Sequence, residues 1–197
     1  MRLPIRSRSI LPMKKLVSVL LICIAALAAL LFFNAESLCK EYIFPVRYEE
    51  YVEKYSSKNG LDKYFVYAII KTESNFNSDA VSDVGARGLM QLMEDAFDWV
   101  KFRMNDERNI TYSDMFDPEY NIEYGTFMIS LLYEEYGDER TALAAYFMGR
   151  GKVNEWLKNK EYSPDGKKLS VIPSSAAEHY VNKVMTAYSS YYNLYNT

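Results

Sequence analysis

Two neighbouring segments carry the most informative motifs of this chain: TESNFN at residues 72–77 and GARGLMQLM at residues 85–93. Apolar residues precede the first segment at helical spacing, and Glu73 follows Val66 and Ile70 on the same stripe. A glutamate on a buried stripe loses hydration, and in the last turn of a helix it also meets the negative end of the helix dipole. Both effects raise the pKa of a carboxyl group, and a raised pKa suits a general acid.

Further motifs follow along the chain in a fixed order. They are ESNFN and GARGLMQ around Glu73, Asn121-Ile122 with Gly125, ALAAY at residues 142–146 with Gly149 and Gly151, and Ile172-Pro173 before YVNKV at residues 180–184. In this order and spacing, residues 47–192 resemble the soluble lytic transglycosylase (SLT) family, which is related in fold to goose-type lysozyme. The resemblance implies an all-α, lysozyme-like domain that cleaves the glycan strands of peptidoglycan.

The resemblance also implies the residues of the site. Glu73 would be the catalytic acid, and Ser74, Met90, Gln91 and Tyr146 would line the sugar-binding groove. Gln91 suits this role because an amide both donates and accepts hydrogen bonds. Three alternatives stay open: Glu73 as a solvated helix residue, Met90 as ordinary core packing, and Tyr146 as a core tyrosine.

Two positions depart from the family pattern. Phe147 replaces an asparagine that contacts substrate, and Ala176 stands where the family has a glutamate. The loss of a sugar contact predicts weakened binding on this side of the groove, and it predicts that Phe147→Asn raises cleavage. The segment SAAE at residues 175–178 is a predicted capping box, which makes Glu178 a structural residue.

The resemblance implies a mechanism with a single carboxylate. Glu73 would protonate the glycosidic oxygen and then act as base, so that a 1,6-anhydromuramic acid end forms. Asp79 and Asp83 are the nearest spare acids, and they are typical turn residues. The alternatives are a goose-type lysozyme-like hydrolase, which uses water, and a catalytically weak wall-binding or scaffold protein. The two departures favour the second alternative, and the intact segment around Glu73 argues against it.

The first forty residues differ in composition from the rest. Residues 1–33 carry five basic residues and no acid, and Leu16–Phe33 is apolar apart from Ser18. As a helix this run is about 27 Å long, close to the thickness of a bilayer core. We therefore divide the chain into residues 1–40, a basic flank, membrane segment and linker, and residues 41–197, the catalytic domain. The predicted location is the cell membrane, with a single-pass anchor and the domain outside the cytoplasm; secretion after signal cleavage is the alternative.

Charge and composition limit the partners. Residues 34–197 hold 18 basic and 26 acidic residues, which argues against nucleic acid as a partner.

The only cysteines are Cys23 and Cys39, so no disulfide is predicted within the domain. His179 is the only histidine and is predicted to lie on a helix surface, so we expect no metal and no other cofactor. The expected partners are peptidoglycan glycan strands and, through the N-terminal helix, the membrane; the sequence carries no signal for an oligomeric state.

The hydrophobic pattern predicts a series of helices without strands. The Asp117-Pro118 pair predicts a helix start, because aspartate caps the first turn and proline fits there without losing a hydrogen bond. The predicted helices cover residues 48–58, 61–73, 95–104, 118–136, 139–148 and 152–158, with loops at residues 77–87 and 159–170. A last helix, capped by Ser175, is predicted to bury apolar residues from Ala177 to Tyr191.

Overall fold

The computed structural model describes residues 13–196 and divides into two compact units between Pro45 and Val46. The first unit contains helix α1 (Met13–Leu38) and a π-helical turn at Cys39–Ile43. Within α1, the stretch Lys15–Phe32 has a mean hydropathy of 2.7, and none of it is buried. This helix is long and apolar enough to cross a membrane. Most of the predicted basic flank, at residues 2–8, lies outside the described residues.

The second unit is helical. It contains α2 (Glu49–Lys58), α3 (Lys63–Glu73), α4 (Glu94–Met104), a 3-10 turn (Tyr112–Phe116), α5 (Pro118–Tyr136), α6 (Glu139–Met148), α7 (Arg150–Trp156) and α8 (Ser175–Tyr195). Across residues 46–196 the only β-type pairings are two isolated bridges, which join Arg87 to Val81 and to Leu92. The predicted all-α fold class is confirmed.

Helix α5 lies at the centre of this unit and packs against α2, α4 and α6. The Asp117 side chain accepts hydrogen bonds from the backbone N–H groups of residues 119 and 120, and Pro118 occupies the first helical position, as predicted. The apolar stripe of this helix, from Ile122 to Tyr136, is buried. Its glycine, Gly125, allows a close approach, because a Cβ atom there would overlap the side chain of Met90.

Helices α3 and α8 run together along one side of the unit. Their contact includes the rings of Tyr67 and Tyr191, which stack with centroids 5.6 Å apart. The N-cap of α8 is Ser174, whose Oγ accepts a hydrogen bond from the N–H of Ala177. The predicted capping box starting at residue 175 is therefore wrong, because a serine one position earlier caps the helix. The pairing of α3 and α8 brings together two side chains that are 107 residues apart in sequence.

Candidate active site

Glu73 is the last residue of α3, and its side chain is partly buried. The hydroxyl group of Tyr180, in the second turn of α8, donates a hydrogen bond of 2.6 Å to Oε1 of Glu73. Tyr180 is itself buried, and this burial raises the pKa of its hydroxyl group well above 10. The tyrosine therefore stays protonated and acts as a neutral donor to the carboxyl group.

The surroundings of Glu73 favour its protonated form. Burial raises the pKa of this carboxyl group to about 7, and the Tyr180 hydrogen bond and the positive charge of Lys183 offset only part of that rise. Among residues 13–196, none of the groups that act on this pKa is another carboxylate. At neutral pH a large fraction of Glu73 therefore holds a proton that it can transfer.

The loop after Glu73 is held in a strained backbone conformation. Asn75 and Phe76 have φ angles of 50° and 65°, in the left-handed region that non-glycine residues rarely adopt. The hydroxyl group of Ser74 donates its one hydrogen between the carbonyl oxygens of Leu89, at 2.8 Å, and Ile70, at 3.2 Å. The contact with Leu89 joins the end of α3 to the segment at residues 85–93.

Asn121 of α5 holds the segment at residues 85–93 in place through hydrogen bonds. Its amide group donates to the carbonyl oxygens of Arg87 and Met115, and its Oδ1 accepts from the N–H of Met90 at 2.7 Å. Gly88 has a φ of 74°, and a Cβ atom there would overlap Asn121. Only glycine fits this position, because the asparagine lies directly against the loop backbone.

The other predicted groove residues lie on this loop or contact it. Tyr146 donates a hydrogen bond of 2.6 Å to the carbonyl oxygen of Met90, and burial raises the pKa of its hydroxyl group well above 10. The Gln91 amide donates to the carbonyl oxygens of Ala80 and Gly88. The whole Met90 residue is 0% exposed, and its N–H and carbonyl groups are both hydrogen-bonded within the protein, which matches the core-packing alternative.

A surface cavity of about 370 Å³ lies beside Tyr146. Its other lining residues include Met93, Asp95, Trp99, Phe147 and Arg150. The Phe147 side chain is 45% exposed, and its ring stacks on the ring of Tyr180 with centroids 4.6 Å apart and an interplanar angle of 17°. The cavity is thus connected to Glu73 through Phe147 and Tyr180.

Tyr180 and Asn121 are the site residues that sequence reasoning did not assign. Both belong to motifs that were recognised, YVNKV and the Asn-Ile pair, but the pattern alone does not show which atoms they contact. The other candidate acids lie away from this centre: Asp79 and Asp83 are exposed on the loop, and Glu178 is exposed on α8. His179 is exposed, as predicted. Among residues 13–196 no group of three or more potential ligands could hold a metal ion.

Comparison with known proteins supports the resemblance. The family profile named Transglycosylase SLT domain matches residues 50–169. The chain is 32% identical over 154 residues to the soluble lytic murein transglycosylase of Escherichia coli (strain K12). This match covers 77% of this chain and 24% of that protein. It is 30% identical over 173 residues to the membrane-bound lytic murein transglycosylase C of Photorhabdus laumondii, covering 75% of this chain and 47% of that protein.

A solved structure shows the same fold. An inactive mutant of the lytic transglycosylase Slt from Pseudomonas aeruginosa, with glutamine in place of a glutamate, matches with a TM-score of 0.68 and 28% identity. The match covers 78% of this chain and 25% of that chain, so the chain spans about a quarter of the length of such soluble relatives. The profile match and the shared fold cover most of the second unit, and the chain therefore belongs to the Transglycosylase SLT domain family.

Proposed function

We propose that this protein is a peptidoglycan lytic transglycosylase, which cleaves the β-1,4 bond between N-acetylmuramic acid and N-acetylglucosamine. The observation that carries the proposal is the isolated carboxyl group of Glu73, which has a raised pKa and a neutral hydrogen-bond donor. Most glycosidases instead pair two carboxyl groups across the scissile bond. The named activities of the relatives, and the glutamate-to-glutamine change in the inactive solved relative, support the same reaction class.

The proposed mechanism uses Glu73 twice. The protonated carboxyl group first gives its proton to the glycosidic oxygen, and the bond from that oxygen to the anomeric carbon of the muramic acid breaks. The N-acetyl group of the substrate stabilises the anomeric carbon, so no second carboxylate is needed. The ionised Glu73 then takes the proton of the 6-hydroxyl group, whose oxygen attacks the anomeric carbon. This step closes a 1,6-anhydro ring, restores the protonated acid and consumes no water.

The surrounding residues would hold the acid and shape the groove. Tyr180 keeps the carboxyl group in place through its 2.6 Å hydrogen bond, and Tyr146 and Ser74 fix the adjacent loop through its carbonyl oxygens. We propose that Ser74, Gln91 and Tyr146 line the sugar-binding groove, and that Met90 supports the loop from the interior. The net negative charge of the domain means that the glycan strand is recognised by shape and hydrogen bonds.

We propose that α1 is an uncleaved, single-pass anchor that holds the catalytic unit outside the cytoplasm. The apolar stretch Lys15–Phe32 and the membrane-bound relative support membrane attachment. N-terminal sequencing of the mature protein tests this, because an anchored protein keeps α1. A mature chain that begins near Leu38 would instead show signal cleavage and release.

Substitution of Glu73 tests the proposed function. Glu73→Gln keeps the shape of the side chain but removes the transferable proton, so purified peptidoglycan should no longer be cleaved, as followed by the release of soluble fragments. Binding of the glycan strand in a sedimentation assay should remain close to that of the wild type. Asp79→Asn is the matched control, because it makes the same chemical change on the neighbouring loop and should leave cleavage intact. Cleavage that persists in Glu73→Gln would refute the proposal.

A further inference from the structure

Phe147 has a contact that its place in the sequence does not suggest. Its ring lies 4.6 Å from the ring of Tyr180 and nearly parallel to it. The hydroxyl group of the same tyrosine donates the 2.6 Å hydrogen bond to Glu73. Phe147 is 45% exposed, whereas Tyr180 is 6% exposed, so the phenylalanine forms the outer layer over the buried tyrosine.

We propose that Phe147 is a positioning residue for the reaction proposed above: it packs on Tyr180, holds the tyrosine hydroxyl group on Glu73 and keeps water away from that pair. Offset stacked rings attract each other and exclude solvent from the covered face. An asparagine at residue 147 could not stack in this way and would bring a hydrated amide to the face of Tyr180. The departure from the family pattern is therefore a gain of a packing contact as well as the loss of a sugar contact.

The contact has a consequence for the ionisation of Glu73. The groups that face this carboxyl group are Tyr180 and Lys183 on α8 and Tyr146 on α6. Burial is the largest influence on its pKa and acts upward, whereas the Tyr180 hydrogen bond is a smaller influence and acts downward. Loss of burial therefore outweighs any loosening of the Tyr180 hydrogen bond. Removing the Phe147 ring would let water reach the Tyr180–Glu73 pair, which favours the charged carboxylate and lowers the pKa of Glu73.

The sign of the effect on activity follows from the role of the acid. Glu73 must be protonated to start the reaction, so cleavage is lost as the pH rises through its pKa. A lower pKa moves this loss to lower pH. If the pKa falls by roughly one unit in Phe147→Asn, cleavage at pH 8 falls about tenfold, whereas cleavage at pH 5 changes little. This is the opposite of the rise in cleavage that the lost sugar contact alone predicts.

The experiment compares three variants with the wild type, each as the full chain in detergent micelles. Phe147→Asn removes the ring, Phe147→Tyr keeps it, and Phe102→Asn makes the same change on α4, where Phe102 is 77% exposed. The first readout is the titration of the Glu73 carboxyl carbon by 13C NMR in glutamate-labelled protein, assigned with Glu73→Gln. The second readout is the pH profile of cleavage at low substrate concentration.

We expect Phe147→Asn to lower the titration midpoint of Glu73 and the alkaline limb of the pH profile together. Phe147→Tyr should restore both to wild-type values, and Phe102→Asn should not move them. An unchanged midpoint in a folded Phe147→Asn, or higher cleavage at pH 8, would overturn the proposal. Because the NMR titration needs no substrate, a shifted midpoint in a protein that cleaves nothing would uphold the positioning role and refute the proposed function instead.

Discussion

The site around Glu73 and the cluster around Asp106 make a matched pair. In each, a partly buried carboxyl group accepts a 2.6 Å hydrogen bond from the hydroxyl group of a buried tyrosine, Tyr180 in the first and Tyr124 in the second. The pKa of Glu73 is nevertheless raised to about 7, whereas the pKa of Asp106 lies well below its usual range. The same type of donor at the same distance is thus found with carboxyl pKa values shifted in opposite directions.

The difference lies in the charged neighbour. Arg108 donates from Nε and Nη2 to both oxygens of Asp106, at 2.6 to 3.0 Å, and this pairing lowers the pKa of that carboxyl group. The positive charge near Glu73 is Lys183, which is exposed and only partly offsets burial. A buried carboxylate with a paired arginine stabilises the fold, and a buried carboxyl group without one is able to donate a proton.

The largest expected effect is a pH-dependent gain of stability in Glu73→Gln. The pKa of Glu73 is about 7 in the folded protein, and its ordinary value is 4.5. Between pH 4.5 and pH 7 the folded wild type therefore binds more protons than the unfolded chain, so its free energy of unfolding falls as the pH rises across this range. Glu73→Gln removes this loss, so it should exceed the wild type by up to about 3 kcal/mol above pH 7. The gain should vanish near pH 4.5.

This gain is measured by urea unfolding across pH, followed by tryptophan fluorescence. Trp99 and Trp156 are the only tryptophans of the chain, and both lie in the second unit, which contains Glu73. A constant difference between Glu73→Gln and the wild type from pH 4.5 to pH 8 would contradict the raised pKa.

The next largest effect is expected when the hydroxyl groups of the two tyrosines are removed. Tyr180→Phe removes the hydrogen bond to the catalytic carboxyl group and should lower cleavage roughly tenfold to a hundredfold, the value of a hydrogen bond to a charged group. Tyr124→Phe removes the equivalent atom from the Asp106 cluster and should lower the free energy of unfolding without changing the cleavage rate of the folded protein. Initial rates and unfolding curves of both variants check this. Equal losses of activity in the two would show that the hydrogen bonds are only structural.

A smaller effect is expected from Arg108→Met. The change leaves the carboxylates of Asp106 and Glu123 without their arginine, since its Nη2 also donates to Glu123 at 2.8 Å. Because Arg108 is about half exposed, the loss of unfolding free energy should be about 1–2 kcal/mol at pH 7, below that of a fully buried pair. A carboxyl group with a lowered folded pKa contributes its stability above its ordinary pKa, so the difference from wild type should shrink as the pH falls below about 4. A loss of stability that does not change with pH would contradict the paired-charge account.

The smallest effect is expected at the loop acids. Asp79→Asn and Asp83→Asn change exposed side chains. Each should leave the cleavage rate within about twofold of the wild type and the free energy of unfolding within about 0.5 kcal/mol. Cleavage rates of the two variants on the same peptidoglycan preparation check this. Loss of cleavage in either variant would mean that a second carboxylate takes part in the reaction. It would contradict the account in which Glu73 acts as the single acid.

Local signals in the sequence predicted much of the fold. The Asp117-Pro118 start, the buried stripe of α5 and the bounds of α6 follow from capping and from apolar spacing, which act within a few residues. The start of α8 was missed by one position because Ser174 and Ser175 are both good caps, and only the backbone geometry selects between them. The short turn Tyr112–Phe116 was not predicted, since its capping contacts lie inside an unpatterned loop.

The candidate site was predicted less completely. Glu73 was found because its position on an apolar stripe is a local property. Its partner Tyr180 is 107 residues away and depends on the packing of α8 against α3, which no single motif encodes. Met90 illustrates the opposite case: the motif suggested a groove residue, but the side chain fills the space over Gly125 in the interior. Sequence patterns thus predicted the candidate acid, and tertiary packing determines what surrounds it.

The most direct test of the proposed mechanism is the mass of the cleavage products. Purified glycan strands are digested with the full chain in oxygen-18 water, and the new muramic acid ends are analysed by mass spectrometry. If Glu73 acts alone as acid and then base, the ends are 1,6-anhydro sugars, one water lighter than reducing ends and free of the heavy isotope. Reducing ends that carry oxygen-18 would show that water is the nucleophile, and the single-carboxylate transglycosylase account would be wrong.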